Sequence, residues 1–305
     1  MLALLLAALL VLRVSGAEQG TLAVLLVGAL PLVLLLAYPL LLLALVRRDR
    51  RLGVASLGLA AAHLLVVAPA LVPAPLPPAS AAGLRVVVAN LYVLNQDPRG
   101  TADALRGLAA DVLVVPELDA DGLAGLRASG LLDDLPYAAV PGGAREETVG
   151  LFSRLPLGDV GVRTGAGRVL PRATVQVAGR ALRLLPAHTL PAVSVLEPDW
   201  RRGLLDLAQE VRSTALPVVV LGDLNADRDT GAFRGLLATG LRDAADERGR
   251  GLDRTWPAGL PLLQLDHVLV RDGTGAGLGV RAVRTVRLPG TDHRAVVADL
   301  AVVPG

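Results

Sequence analysis

The chain has no cysteine and no lysine in its 305 residues, one methionine, and only 2% aromatic side chains. Without cysteine there is no disulfide framework and no thiolate chemistry. That is compatible with an extracytoplasmic location but does not require one. The shortage of aromatics removes the stacking platforms used to hold single-stranded nucleic acid. All positive charge is arginine, and the pI near 9.6 accompanies a net charge of only +2. The abundance of Ala, Gly, Val, Leu and Arg is what GC-rich coding produces, and no long basic run lies outside the apolar N-terminal region. The pI is therefore not read as a nucleic-acid footprint.

Apolar residues are in excess. The chain is 53% hydrophobic with a mean hydropathy of +0.55, and the surplus is concentrated before residue 80. Residues 21–46 carry no charge and contain Pro31 and Pro39, which a bilayer helix tolerates. Residues 52–76 form a second apolar stretch whose only ionisable group is His63. With no partner evident, a bland role in helix contact is favoured over a functional one. Residues 1–14 form a shorter candidate that gains length if Arg13 snorkels. It reads as a thin tilted span, as a segment that starts upstream, or as a signal segment. The last lacks a basic n-region, although Val14-Ser15-Gly16 imitates a cleavage site. Arg47, Arg48, Arg50 and Arg51 lie between the last two stretches, and positive loops stay in the cytoplasm. Three transmembrane helices over 1–78 would then leave everything after the Pro-rich linker 72–78 outside the cytoplasm, on a multi-pass cell-membrane protein.

Beyond the linker, residues 84–303 alternate between apolar runs and amphipathic stretches. Strands are expected over 84–93, 111–118, 148–154, 172–177, 181–186, 218–223, 262–270, 280–286 and 295–303. Helices are expected over 97–110, 120–132, 198–214 and 231–239. Antiparallel pairs toward the middle and end favour an α/β sandwich of two mixed β-sheets over a doubly wound sheet. The most telling stretch is Val218 to Asp227, VVVLGDLNAD. Its apolar run suits a strand buried on both faces, and Gly222 frees the backbone where the strand stops. Asp223 and Asn225, two apart, would share one side of an extended chain, where α/β sheets place ligands. The plain alternative is an Asp/Asn turn.

Polar residues recur at strand ends: Asn90, Glu117, His188, Asp223, Asn225, Asp266, Asp292 and His293. Such a set suits metal-assisted phosphoryl hydrolysis. Mg²⁺ (or Mn²⁺) takes carboxylate and amide oxygens and would neutralise charge on phosphate. A carboxylate-held His can take a proton from water, and a second His can donate to the phosphate or the leaving group. Zinc fits less well, for want of cysteine and of an HExxH pair.

In order, ANL, PEL, FSR, AHT, GDLNAD, QLDHVLV and GTDHRAV resemble the endonuclease/exonuclease/phosphatase superfamily, the DNase I-like fold, over roughly Leu84 to Val303. The resemblance implies a four-layer α/β sandwich. It implies that Asn90 and Glu117 lie on the metal side, and that Asp223 and Asn225 orient the nucleophile and contact the phosphate. Asp266 would match the family's IDH-type strand, Asp292 and His293 an Asp-oriented general base, and His188 the His at the scissile phosphate. Pro116 stands where the family has Gln, and Thr291 where Ser is frequent. Glu146 or Glu147 is the candidate to support His188. Thr255-Trp256-Pro257 resembles the loop before the IDH strand, so Thr255 and Trp256 are candidate substrate contacts, with a core role for Trp256 equally open. Three spans before such a domain also resemble the membrane-anchored branch associated with teicoplanin resistance in actinobacteria, which implies a phosphorylated small molecule, an envelope lipid or a lipid-linked phosphate as substrate and the lipid bilayer as partner. A membrane-tethered nuclease and a non-catalytic binding protein with a degenerate site are the alternatives.

Overall fold

The computed structural model describes residues 1–144, 147–165, 167–274 and 276–304. Five helices come first: α1 (Leu2–Ser15), α2 (Thr21–Gly28), the single turn α3 (Leu30–Val33), α4 (Ala37–Arg47) and α5 (Arg50–Leu71). A 3₁₀ turn, Leu34–Leu36, joins α3 to α4 without a break, so Leu30–Arg47 is one helical stretch of 18 residues. This stretch and α5 are the two described helices long and apolar enough to cross a membrane. Leu6, Leu30, Leu34, Ala37, Leu59, Ala60 and Val66 form their common core. Leu42, Leu45, Val46, Val54, Leu57 and Leu65 face outward. Asp49 caps α5 by accepting from the Arg51 and Leu52 amides.

The expected continuous segment 21–46 is interrupted in the structure. It breaks at Ala29, where ψ is 10°, and α2 leaves the helical bundle to lie on the second sheet of the sandwich. Val24 is buried there against Trp200, Leu204 and Phe233. Arg13 does not snorkel; its Nε donates to Asp229 at 2.6 Å. His63 has a partner after all, since its Nδ1 lies 2.9 Å from the Tyr38 hydroxyl.

The remainder is two six-stranded mixed sheets with helices outside them. Chain order is β1 (Ala82–Val88), α6 (Pro98–Arg106), β2 (Val112–Leu118), α7 (Ala120–Ala128), α8 (Leu131–Asp134), β3 (Tyr137–Ala139), β4 (Thr148–Ser153), β5 (Leu157–Gly165), β6 (Arg168–Val177), β7 (Arg180–His188), α9 (Glu197–Arg212), β8 (Val218–Asp223), α10 (Gly231–Leu237), β9 (Arg242–Asp243), α11 (Ala244–Glu247), β10 (Asp266–Arg271), β11 (Ala276–Arg287) and β12 (Arg294–Pro304). The first sheet runs β11-β12-β1-β2-β4-β3 and the second β5-β6-β7-β8-β10-β9. Among the described residues, only the β1–β2 and β7–β8 pairs are parallel.

Alternation along the central strands explains why they read as unbroken apolar runs. Val86 and Val88 point between the sheets, while Val87 points to the layer of α6 and α7. Val219 and Leu221 likewise point inward, and Val218 and Val220 point to α9. Both faces of each strand are covered, which is the four-layer arrangement. Strands β3, β5 and β9 are short or amphipathic and were not expected from the sequence. The expected strand 262–270 starts later, at Asp266, because Leu263 and Gln264 are taken up by loop hydrogen bonds.

Candidate active site

The sandwich brings the ends of its central strands to one edge. Asp223 closes β8, His188 closes β7 and Asp266 opens the antiparallel β10; in register, Asp223 pairs with both His188 and Asp266. From the other sheet come Asn90, just past β1, Glu117 near the end of β2, and His293, just before β12. Gly222 is required for this convergence. A Cβ there would sit 1.8 Å from the Ala187 carbonyl oxygen of the neighbouring strand. Glu117 sits at a bulge between Val115 and Leu118 with φ of 53°, a left-handed conformation that turns its carboxylate into the cleft.

Asn90 spans the two sheets: its Nδ2 donates to Glu117 Oε1 at 2.9 Å and to Asp223 Oδ2 at 3.0 Å. Its Oδ1 accepts from the Tyr92 amide. In this orientation Asn90 braces the two carboxylates; a half-turn of the amide would bring its oxygen to them at the cost of the Tyr92 bond. Glu117 Oε2 also accepts from the Val93 amide. His293 Nδ1 lies 2.8 Å from Asp266 Oδ2, and its Nε2 is 3.8 Å from Asp223.

The carboxylate that holds His293 is therefore Asp266, not the adjacent Asp292. Asp292 accepts from Trp256 Nε1 at 3.1 Å and comes only within 4.0 Å of His293. Thr291 supplies the hydroxyl expected of a serine, donating to the Asn90 carbonyl and accepting from the His293 amide. Thr255 is not placed to touch substrate. It is fully buried, and its Oγ1 accepts from the Leu265 and Asp266 amides, fixing the start of β10. Nor does Asn225 share a side with Asp223 on an extended chain. Its φ is 45°; its amide donates to Asp223 Oδ1 and its Nδ2 to the Thr189 carbonyl.

Arg168 was not singled out in the sequence, and nothing in its surroundings there would have done so. Its guanidinium bridges Glu147, at 2.7 Å, and His188 Nδ1, at 3.2 Å. Glu147 is thus the acid beside His188, whereas Glu146 lies outside the described residues. Burial, then Arg168 and His293, hold the His188 pKa well below its usual value. The ring is neutral and accepts from Arg168 at Nδ1, so Nε2 carries the hydrogen. That nitrogen is 4.0 Å from both Glu117 and Asp223.

His293 behaves oppositely. Burial lowers its pKa, but Asp266 and Asp223 outweigh burial and raise it to about 10. Burial, followed by the charge of Asp266, pushes Asp223 up to about 7. The two shifts share a cause: Asp223 and Asp266 crowd their charges against a single imidazole, which favours the protonated form of each partner. Glu117, His188 and Asp223, and likewise Asp223, Asp266 and His293, can each bring one donor atom to a shared point. Asp266 Oδ1 is buried with no hydrogen-bond partner among the described residues. An oxygen-rich, cysteine-free set with an orphaned carboxylate oxygen fits a hard divalent cation. His267, next along β10, faces away from this edge, with its Nδ1 2.6 Å from Asp243 and its Nε2 2.9 Å from the Ala226 carbonyl.

The family model for the endonuclease/exonuclease/phosphatase family matches residues 87–293. The chain belongs to that family. Solved structures share the DNase I-like fold. D. rerio TDP2 complexed with a single-strand DNA product aligns with a TM-score of 0.61 at 17% identity, covering 72% of this chain and 98% of that one. Sphingomyelinase C from Streptomyces griseocarneus aligns at 0.51 and 19%, covering 71% and 99%. A Staphylococcus aureus beta toxin mutant with bound magnesium ions aligns at 0.53 and 16%, covering 70% and 98%. No curated protein sequence matches. In each of these alignments the part left over is more than a quarter of this chain, while the structure it matches is covered almost completely.

Proposed function

We propose that this family member is a membrane-tethered, divalent-metal-dependent phosphoric ester hydrolase acting on phosphate mono- or diesters of an envelope lipid or a lipid-linked group. The observation that carries the reading is the Asn90 amide joining Glu117 to Asp223 across the two sheets, beside the Asp266–His293 pair. Mg²⁺ or Mn²⁺, held by Glu117 with Asn90 beside it, would neutralise charge on the phosphate oxygens. The charge of that cation would oppose the carboxylates that raise the His293 pKa, so that His293, fixed through Nδ1 by Asp266, would present an unprotonated Nε2 to accept a proton from water. Asp223 and Asn225 orient that water. Neutral His188 donates its Nε2 hydrogen to a phosphate oxygen without carrying charge.

Tethering rests on the two long apolar helices and on their outward-facing apolar side chains. The Arg47, Arg48, Arg50 and Arg51 cluster at the turn between α4 and α5 supports a cytoplasmic end there. The loop before α2 and the last turn of α5 both touch the sandwich, as Glu18–Gly231 and Ala70–Gly251. Those contacts favour the sandwich on the opposite, extracytoplasmic side, with α1 as a third crossing. A tethered catalyst meets lipid substrates at high effective concentration.

The test is phosphate release by the full chain in lipid nanodiscs, with Mg²⁺ or Mn²⁺, from polyprenyl phosphates, phospholipids, nucleotides and DNA. We expect activity on the lipid phosphates that is abolished by EDTA and by His293→Ala. Hydrolysis of DNA alone, steeply weakened by salt, would replace this reading with a nuclease. Inertness toward every ester would leave a binding protein.

A further inference from the structure

α2 does more than link the membrane helices to the sandwich. Val24, Leu25 and Gly28 of this helix form one wall of a cavity of about 210 Å³, and Val193, Trp256 and Leu263 form apolar parts of the others. His293, Asn225, Asp227 and Thr230 supply its polar lining, away from the α2 wall. The α2 wall contributes no hydrogen-bonding side chain. Gly28 lies so close that a Cβ on it would be 3.1 Å from the Asp227 Cβ. A larger residue there would have to displace Asp227 or intrude on the cavity.

This wall is pinned in place. Fully buried Glu18 accepts from the Gly231 amide at 2.6 Å, and Arg13 pairs with Asp229. Arg201 donates to the Glu18 carbonyl and Arg234 to the Arg13 carbonyl. At its other end α2 runs on into the long apolar stretch 30–47. The chain thus stays apolar from a candidate membrane helix to the wall of the cavity that His293 lines.

Resting on the phosphoesterase reading above, we propose that this cavity is the subsite for the hydrocarbon chain carried by the scissile phosphate, with the α2 wall as its specificity element. Methylenes need no hydrogen-bond partner, and the α2 wall offers none; a ribose or base would leave polar edges unpaired against it. The chain of a lipid phosphate reaches the cavity along α2 with its phosphate at His293.

The test uses phosphonates, whose C–P bond is not hydrolysed, so binding is read apart from turnover. Calorimetric titration of the full chain in nanodiscs with Mg²⁺ compares butylphosphonate with methylphosphonate. Two buried methylenes already exceed a tenfold change, so butylphosphonate is expected to bind at least tenfold more tightly. Leu25→Ser, at a partly exposed position, and Gly28→Val, which fills the space, should each reduce that ratio to threefold or less. Val160→Ser, on an exposed strand position outside the cavity, should preserve it. Equal affinities in the wild type, or a preference that survives both α2 substitutions, overturns the proposal. A preference that behaves as expected in a protein that hydrolyses no ester supports the subsite and removes the hydrolase reading instead.

Discussion

Neutralising Asp266 tests the electrostatics of the site directly. Its Oδ2 is 2.8 Å from His293 Nδ1, and it is the strongest of the charges that raise the His293 pKa to about 10. Two unit charges about 4 Å apart in a medium of effective dielectric near 20 interact by about 4 kcal/mol, or about 3 pK units. Asp266→Asn keeps the shape and an acceptor oxygen but removes the charge, so His293 should titrate near 7. The pKa of His293 is raised on folding, so its ion pair stabilises the metal-free protein fully below about pH 6.5. That stabilisation fades as pH rises through 10. The substitution should therefore cost about 4 kcal/mol at pH 6 and little above pH 10. The assay is an NMR titration of the imidazole signals of a four-histidine chain, assigned by single substitution, alongside denaturant unfolding at both pH values. A fall of less than one pK unit would refute the assignment of Asp266 as the charge partner. With metal present, hydrolysis should drop by a factor of about 10²–10⁴, the range for a base that loses its orienting carboxylate.

Glu117→Gln should abolish Mg²⁺ binding at pH 8 and the proton release that accompanies it in wild type, read by calorimetry in buffers of differing ionisation enthalpy. Burial lowers the pKa of His267, but Asp243 and the Ala226 carbonyl raise it to about 9. Its contribution of about 3 kcal/mol is complete below pH 6.5 and lost as pH rises through 9, so the stability deficit of His267→Gln, measured by denaturant unfolding, should vanish by about pH 10. Gly222→Ala forces a methyl against the Ala187 carbonyl. It should cost on the order of 3 kcal/mol or more in thermal unfolding, or prevent folding.

The sequence made the sheet architecture readable because its central strands are covered on both faces. Val218–Leu221 and Val112–Val115 have no competing helical period. It failed on β5, where exposed Val160 and Val162 alternate with polar and glycine positions, and on two-residue β9, which only pairing with β10 defines. At the site, residue types were legible but their partnerships were not. Adjacency in GTDHR suggested Asp292 as the partner of His293. In the fold, β8–β10 register brings in Asp266, and Trp256 draws Asp292 aside. Arg168 and Thr255 act through contacts across 20 and 11 residues, respectively, that no local pattern announces. The break at Ala29 was hidden because an apolar helix looks alike whether lipid or protein covers it.

Severing the chain at its proline-rich linker, to obtain the sandwich alone from about Leu84, would not be a clean cut. The excised portion takes with it the arginine that answers Asp229 and the glutamate side chain that accepts from the Gly231 amide. It also uncovers the slot around Trp200 and Phe233 that Val24 plugs. The shortened protein would inherit a stranded carboxylate and an open, oily notch where Val24 had sat. The sandwich and the apolar helices here share parts, and each is incomplete when isolated from the other.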